Sequence, residues 1–172
     1  MVASSVQVRV IRSEHEEIAA LQRVLEAAPD YFRRVTGVPP DGGEAQRTYR
    51  VVPAGKGWED KHVLGVFLEG EMVGCADLVR RYPEEHMAHV GLFLIAERHQ
   101  QCGLGTTAWG LIEVLMREWP ECRTLRGAVV RTNASVLRFW ERIGFSQTGE
   151  VEPYCYGSVS SELVIIEKPL QR

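Results

Sequence analysis

The chain is short of several things at once. Basic residues are not in excess: 20 Lys and Arg stand against 23 Asp and Glu, a net charge of −3. No electrostatic footprint for nucleic acid or an anionic membrane surface is present, so a small-molecule or peptide partner is expected instead. There is no CxxC pair. The four cysteines, Cys75, Cys102, Cys122 and Cys155, are scattered without the Cys/His spacing of a metal site, and read as reduced thiols of a cytoplasmic protein. No apolar run approaches the ~20 residues of a membrane span, and the opening MVASSVQVRVIRSEH lacks the long apolar stretch of a secretory leader. Internal repeats and low-complexity tracts are missing as well. What remains, 172 residues of mixed composition, suits a single domain around one core, as a monomer or homodimer.

Periodicity then supplies the elements. Val6, Val8 and Val10 alternate with Gln7 and Arg9, a half-buried strand. Ser13 and Glu16 have the spacing of a capping box, and Ile18, Leu21, Leu25 and Ala28 recur at helical spacing up to Pro29. A second short helix is expected from Asp30 through Val35, and a turn or two of helix over residues 44–50, between the breakers GVPPDGG and PAGKG. This polar N-terminal third is the expected seat of specificity. From Lys61 the texture becomes β-rich, with a hairpin signal at Glu69-Gly70-Glu71 and a third strand over residues 88–95. Leu104, Ala108, Leu111, Ile112, Leu115 and Trp119 mark one face of a helix closed by Pro120. A strand at 124–130, a helix at about 134–143 and strands near 146–151 and 162–168 complete a mixed α/β or α+β pattern.

The stretch HQQCGLGTTAWG stands between the third strand and the long helix. Gly103, Gly105 and Ala108 match the dinucleotide fingerprint GxGxxG/A, but the next strand ends Val130-Arg131-Thr132-Asn133, where that fold places an acidic residue for a ribose hydroxyl. An arginine there suits a 2′-phosphate, which keeps an NADP reading open. A turn whose glycines serve only the backbone is the other alternative. The fuller match is Q/R-x-x-G-x-G/A, carried by Gln100, Gln101, Cys102, Gly103, Leu104 and Gly105. Unpaired amides at a helix start, with the dipole behind them, favour a phosphate.

At this loop the sequence resembles the GCN5-related N-acetyltransferases. A second segment supports the resemblance: Asn133, Ser135, Phe139, Trp140, Gly144 and Phe145 are similar to the family's N-x-x-A/S-x-x-x-Y-x-x-x-G-F. The resemblance implies a central, mostly antiparallel, splayed sheet flanked by helices, using acetyl-CoA (coenzyme A) as co-substrate. It implies pyrophosphate binding by the loop through Thr106, main-chain pairing of pantetheine with Phe93, Leu94 and Ile95, and contacts to the arm from Asn133, Ser135, Phe139 and Trp140. A backbone N–H near Leu94 or Ile95 would stabilise the oxyanion, a contribution of roughly a few kcal/mol. The activity implied is direct N-acetylation of a primary amine, of a small molecule or peptide.

Such an amine is only ~0.1% neutral at pH 7, so a base is needed, and His89 on the third strand is the expected one. Asp77 and Glu69 are weaker choices. His86 and His89 alone do not make a metal site. The family's tyrosine falls at Trp140, whose indole N–H is no useful proton source. Tyr154 or Tyr156, expected in the link between the last two strands, are the substitutes. The same departure supports an alternative, a catalytically weak acyl-CoA sensor or interaction module on this fold.

Overall fold

The computed structural model describes residues 5–171. Seven strands form one sheet: β1 (Val6–Val10), β2 (Lys61–Leu68), β3 (Glu71–Arg80), β4 (Met87–Ile95), β5 (Thr124–Val130), β6 (Ser146–Tyr156) and β7 (Val159–Pro169), in the order β1-β2-β3-β4-β5-β7-β6. All neighbours are antiparallel except β4 and β5. The helices are α1 (His15–Glu26), α2 (Pro29–Thr36), α3 (Glu44–Arg50), α4 (Leu104–Arg117) and α5 (Leu137–Arg142).

The parallel pair decides the shape. Pairing of β4 with β5 runs only from Met87↔Thr124 to Val90↔Gly127. Beyond it both strands continue, β4 to Ile95 against β3 and β5 to Val130 against β7, but no longer against each other. Gly91 sits where they part, as the extra residue of a bulge between the pairs Asp77↔Leu92 and Leu78↔Val90. Bulges bend the bulged strand and sharpen its twist, which swings the second half of β4 away.

Helices fill both faces. On one, α4 and α5 cover a core of Leu78, Val90, Trp109, Ile112, Met116, Leu125 and Ile166. On the other, α1 and α2 bury Leu21, Leu25 and Phe32 against Val63, Phe67, Cys75 and Leu94. The β-rich texture after Lys61 and the helices at 29–36 and 44–50 fall where periodicity puts them. Four local expectations are corrected. α1 begins at His15 with no side-chain cap, and it is Glu17, not Glu16, whose carboxylate accepts from the Arg12 N–H. α4 turns Trp109 and Met116 inward while Leu115 is exposed, and it ends at Arg117 before reaching Pro120. The segment expected as helix from Ala134 is a 3-10 turn (Arg131–Val136) leading into the short α5. β6 and β7 are each 11 residues long, so Tyr154 and Tyr156 lie within β6 rather than in a link. Among the described residues no helix is long and apolar enough to cross a membrane.

Candidate active site

The opening between β4 and β5 holds a cavity of about 830 Å³. At one side the chain passes from β4 through a 3-10 turn (Glu97–His99) into the loop before α4. Gln101 has φ 61° and Gly103 φ 86°, two left-handed residues that turn the chain back on itself. Only the second is a residue for which that backbone is unstrained. No heavy atom lies within 4 Å of where a Cβ on Gly103 would be, so the loop is open there. α4 starts at Leu104 with no side-chain cap, which leaves its first-turn amides available to an anion.

Main-chain geometry along β4 follows from one bond. The Ala96 N–H donates to the Val73 carbonyl at 2.9 Å. Because pairs alternate in an antiparallel ladder, Leu94 also bonds toward β3, and the peptide groups of Phe93 and Ile95 face the opening. The Ile95 carbonyl is taken by the Gln100 side chain at 2.7 Å, which leaves the Ile95 N–H and both groups of Phe93 on that side. Of the two backbone amides expected as oxyanion donor, Leu94 and Ile95, it is the Ile95 N–H that faces the opening.

Aromatic rings make the next wall. Phe93 stacks on Phe139 with ring centres 5.9 Å apart, and Trp140 packs edge-on against Trp109 at 5.0 Å and Phe145 at 4.9 Å. Asn133, buried, closes this wall and accepts from Arg34 Nη1 at 3.3 Å. Of the expected cofactor contacts, Phe93, Leu94, Ile95, Gln100, Gln101, Gly103, Gly105, Thr106, Asn133, Phe139 and Trp140 line the cavity. Cys102, Leu104 and Ser135 do not. Cys102 is exposed with its thiol turned to the His99 carbonyl, Leu104 is in the core beside Val66 and Val73, and Ser135 is exposed.

The opposite wall comes from α2, whose Asp30, Tyr31, Arg34 and Val35 line the cavity. α2 is tied to both strand ends. Glu97 after β4 accepts from the Asp30 N–H at 3.0 Å, and Thr132 after β5 donates to the Arg34 carbonyl at 2.6 Å. The β6–β7 hairpin holds the same helix, with the Tyr154 hydroxyl donating to the Val35 carbonyl at 2.7 Å and the Ser158 N–H to Thr36 at 3.2 Å. Pattern reading put specificity somewhere in the N-terminal third but could not pick out Tyr31 or Arg34, because nothing local marks a helix that docks across a distant opening.

The expected proton carriers are not on the cavity wall. His89 lies one strand-pair below the opening, opposite Val79 and Arg126. Burial, with Arg126 and Lys61 nearby, pushes its imidazole down to about 4, so it is neutral and a weak base at physiological pH. The Tyr154 hydroxyl is engaged with Val35, and burial raises its pKa. Tyr156 is half exposed at the hairpin tip. Tyr31 faces the cavity instead, its phenol pushed far up by burial. Among the described residues no three His, Cys, Asp or Glu side chains gather as a metal site would require.

A strand pair that parts over a cavity, with an uncapped helix start on one side and a docked helix on the other, coincides with a family match. The chain matches the Acetyltransferase (GNAT) family over residues 20–145. It belongs to that family. Among curated proteins it is 28% identical over 94 residues to the spermine/spermidine N(1)-acetyltransferase of Bacillus subtilis (strain 168), covering 52% of this chain and 62% of that relative. The match thus spans less than two thirds of the relative's length. An acetyltransferase structure from Thermus thermophilus superposes with a TM-score of 0.72 at 25% identity, over 96% of this chain and 97% of that one. The ribosomal-protein-S18-alanine N-acetyltransferase of Escherichia coli superposes at 0.69 and 15% identity, over 98% and 96%, a likeness of fold alone. The splayed, mostly antiparallel GNAT sheet with flanking helices is the architecture observed.

Proposed function

We propose that this protein transfers the acetyl group of acetyl-CoA directly to a primary amine of a small molecule or peptide. The observation that carries the reading is the continuity of the cavity, whose lining runs from Gln101, Gly103 and Gly105 at the start of α4, past Phe93 and Ile95, to Tyr31 and Arg34 of α2. The residues present fit the cofactor at each part. The loop amides and the α4 dipole suit a pyrophosphate, and the peptide groups of Phe93 that face the opening suit an amide-bearing arm. The ring wall of Phe139 and Trp140 suits the arm's apolar stretch. The Ile95 N–H is the donor toward which the thioester oxygen would point.

The acceptor reaches the thioester from the α2 side. A cationic amine, of the kind named for the Bacillus subtilis relative, is favoured by the net acidity of the chain. Trp140 at the family's tyrosine position does not prevent the chemistry, since a thiol of pKa near ~8.5 leaves with modest help. No acyl-enzyme is needed, and Cys102 points out of the cavity path.

The test is a thiol-release assay with acetyl-CoA against spermidine, small monoamines and peptides with free N-termini, run beside thermal melts. Acetyl-CoA at about a hundred times its dissociation constant should stabilise the fold by roughly 2.7 kcal/mol. NADP should not. Stabilisation by NADP and not by acetyl-CoA would return the dinucleotide reading, and stabilisation by acetyl-CoA without turnover of any amine would favour the sensor.

A further inference from the structure

The cavity reaches further than the gap between β4 and β5 requires. β5 stands between β4 and β7 in the sheet, yet Ile166 of β7 and Val90 of β4 line the same cavity. A space that touches both passes beneath β5, on the face covered by α4 and α5. Gly127 lets it through. This glycine ends the paired stretch of the parallel strands, opposite Val90 on one side and Ile166 on the other. A Cβ placed on it would lie 3.4 Å from Ile166 Cγ1 and 3.8 Å from Val90 Cβ, so a side chain here would occupy the passage.

The recess has walls of one kind. Gly127 is joined there by Val90, Val129, Trp140, Phe145 and Ile166, five cavity-lining members of the core under α4 and α5, none more than 9% exposed. They bring no charge, hydroxyl or amide side chain, only the indole N–H of Trp140. The family's tyrosine would have put a hydroxyl at that position. Arg142 also lines the cavity, but it is exposed and not part of this buried set. The α2 side of the cavity carries Asp30, Tyr31 and Arg34 instead. Water confined among apolar side chains lacks bonding partners, so an apolar group that fills such a space binds with a net gain.

With the pyrophosphate at the loop before α4, where the splay is widest, the acyl group is the end of the donor that points toward the closed end. Resting on the proposed transfer from coenzyme A to an amine, we infer that the recess takes the donor's acyl chain. The protein then uses linear acyl groups longer than acetyl, propionyl and butyryl among them, and Gly127 sets the length admitted. Chain length leaves the chemistry unchanged. The amine nitrogen forms the C–N bond to the thioester carbonyl, and the C–S bond breaks with its electron pair on sulfur. Of the two protons lost by R–NH3+, one ends on the thiolate and the other in solvent, giving the N-acyl amine, free coenzyme A and one proton. An acyl group ending in a carboxylate is disfavoured, because nothing in the recess would pair with its charge.

The experiment measures thermal melts of the full chain with coenzyme A and its acetyl, propionyl, butyryl and succinyl thioesters, no amine present, and then thiol release with spermidine and the amine panel. Affinity should rise about fourfold with each methylene from acetyl to butyryl. Succinyl, which matches butyryl in length but ends in a carboxylate, should bind less tightly than acetyl. Gly127→Ala adds a methyl at ordinary contact distances and is expected to fold. It should lower the butyryl-to-acetyl ratio of affinity, and of kcat/KM, by about tenfold or more. The assignment is overturned by an affinity that does not rise from acetyl to butyryl, by a succinyl thioester bound as tightly as butyryl, or by a ratio in Gly127→Ala within about threefold of the wild type. No melting shift with any thioester overturns the coenzyme A reading, and this assignment with it. Graded shifts without thiol release against any amine support the recess and overturn the transfer alone.

Discussion

The two walls of the cavity are built by different means. The cofactor wall, from the loop before α4 to Phe139 and Trp140, is made of backbone amides and a stack of rings contributed by two compact segments. The wall on the acceptor side is made of α2 side chains, Asp30, Tyr31, Arg34 and Val35, and the helix is held in place by contacts across sequence separations of about a hundred residues or more, as with Tyr154 on Val35 and Arg34 on Asn133. A wall of backbone tolerates change in side chains and not in conformation. A wall of side chains behaves the other way round.

Substitutions can break or sharpen that contrast. The largest expected effect is a pH dependence below the acceptor wall. His89 is held neutral, its folded pKa of about 4 lying below the unfolded value near 6.5. The unfolded chain therefore binds the extra proton first, and stability present above about pH 6.5 is lost as pH falls toward 4, by about 3 kcal/mol in total. His89→Gln should remove that contribution to the slope of chemical-denaturation stability against pH. An unchanged slope would mean the imidazole is solvated.

Nearly as large is the effect of Gly103→Val, which forces a β-branched residue to φ 86° at the anion site and should abolish the roughly 2.7 kcal/mol stabilisation by saturating coenzyme A. Retained stabilisation would show that side chains hold the phosphates. On the acceptor wall, Tyr154→Phe should cost about 1 kcal/mol of stability, the worth of one hydrogen bond, and raise the KM for amine more than that for acetyl-CoA. Equal changes in both KM values would erase the distinction between the walls. The smallest effect is expected for Gln101→Ala, whose exposed side chain leaves coenzyme A affinity within about twofold of the wild type, read by the same melting shift.

The contrast also explains which features were legible in the sequence. The glycine loop and the Asn133–Phe145 segment are local, and local spacing picks them out, so most residues named from them are found on the cavity wall, Cys102, Leu104 and Ser135 excepted. Leu104, named both in the loop and on the apolar face of the helix, turns its side chain to the core beside Val66 and Val73, as its helical spacing with Ala108 and Ile112 requires. A phase error did exchange Leu115 for Met116 in α4. On the other wall, the bulge at Gly91 shifts which residues of β4 face the opening, and no periodicity announces a one-residue slip. His89 was chosen for its place on the third strand, four residues before Phe93, and the structure puts it below the opening, in the part of β4 still paired with β5. The C-terminal strands were expected to stop near Val151 and resume near Glu162, yet β6 continues through Pro153, because it is the edge of the sheet, where a proline's missing donor costs no ladder bond on the open side.

The ring wall has an optical consequence. Of the four tryptophans, Trp140 lines the cavity and Trp109 packs directly behind it, whereas Trp58 is exposed and Trp119 is stacked between His62 and Arg80 on another part of the sheet. Filling the cavity changes the surroundings of the first pair and leaves those of the second pair alone. Intrinsic emission from this unlabelled chain therefore divides into a reporting pair and an internal standard, and the arrival and departure of cofactor can be timed by mixing alone, with Trp58→Phe removing the solvent-exposed background.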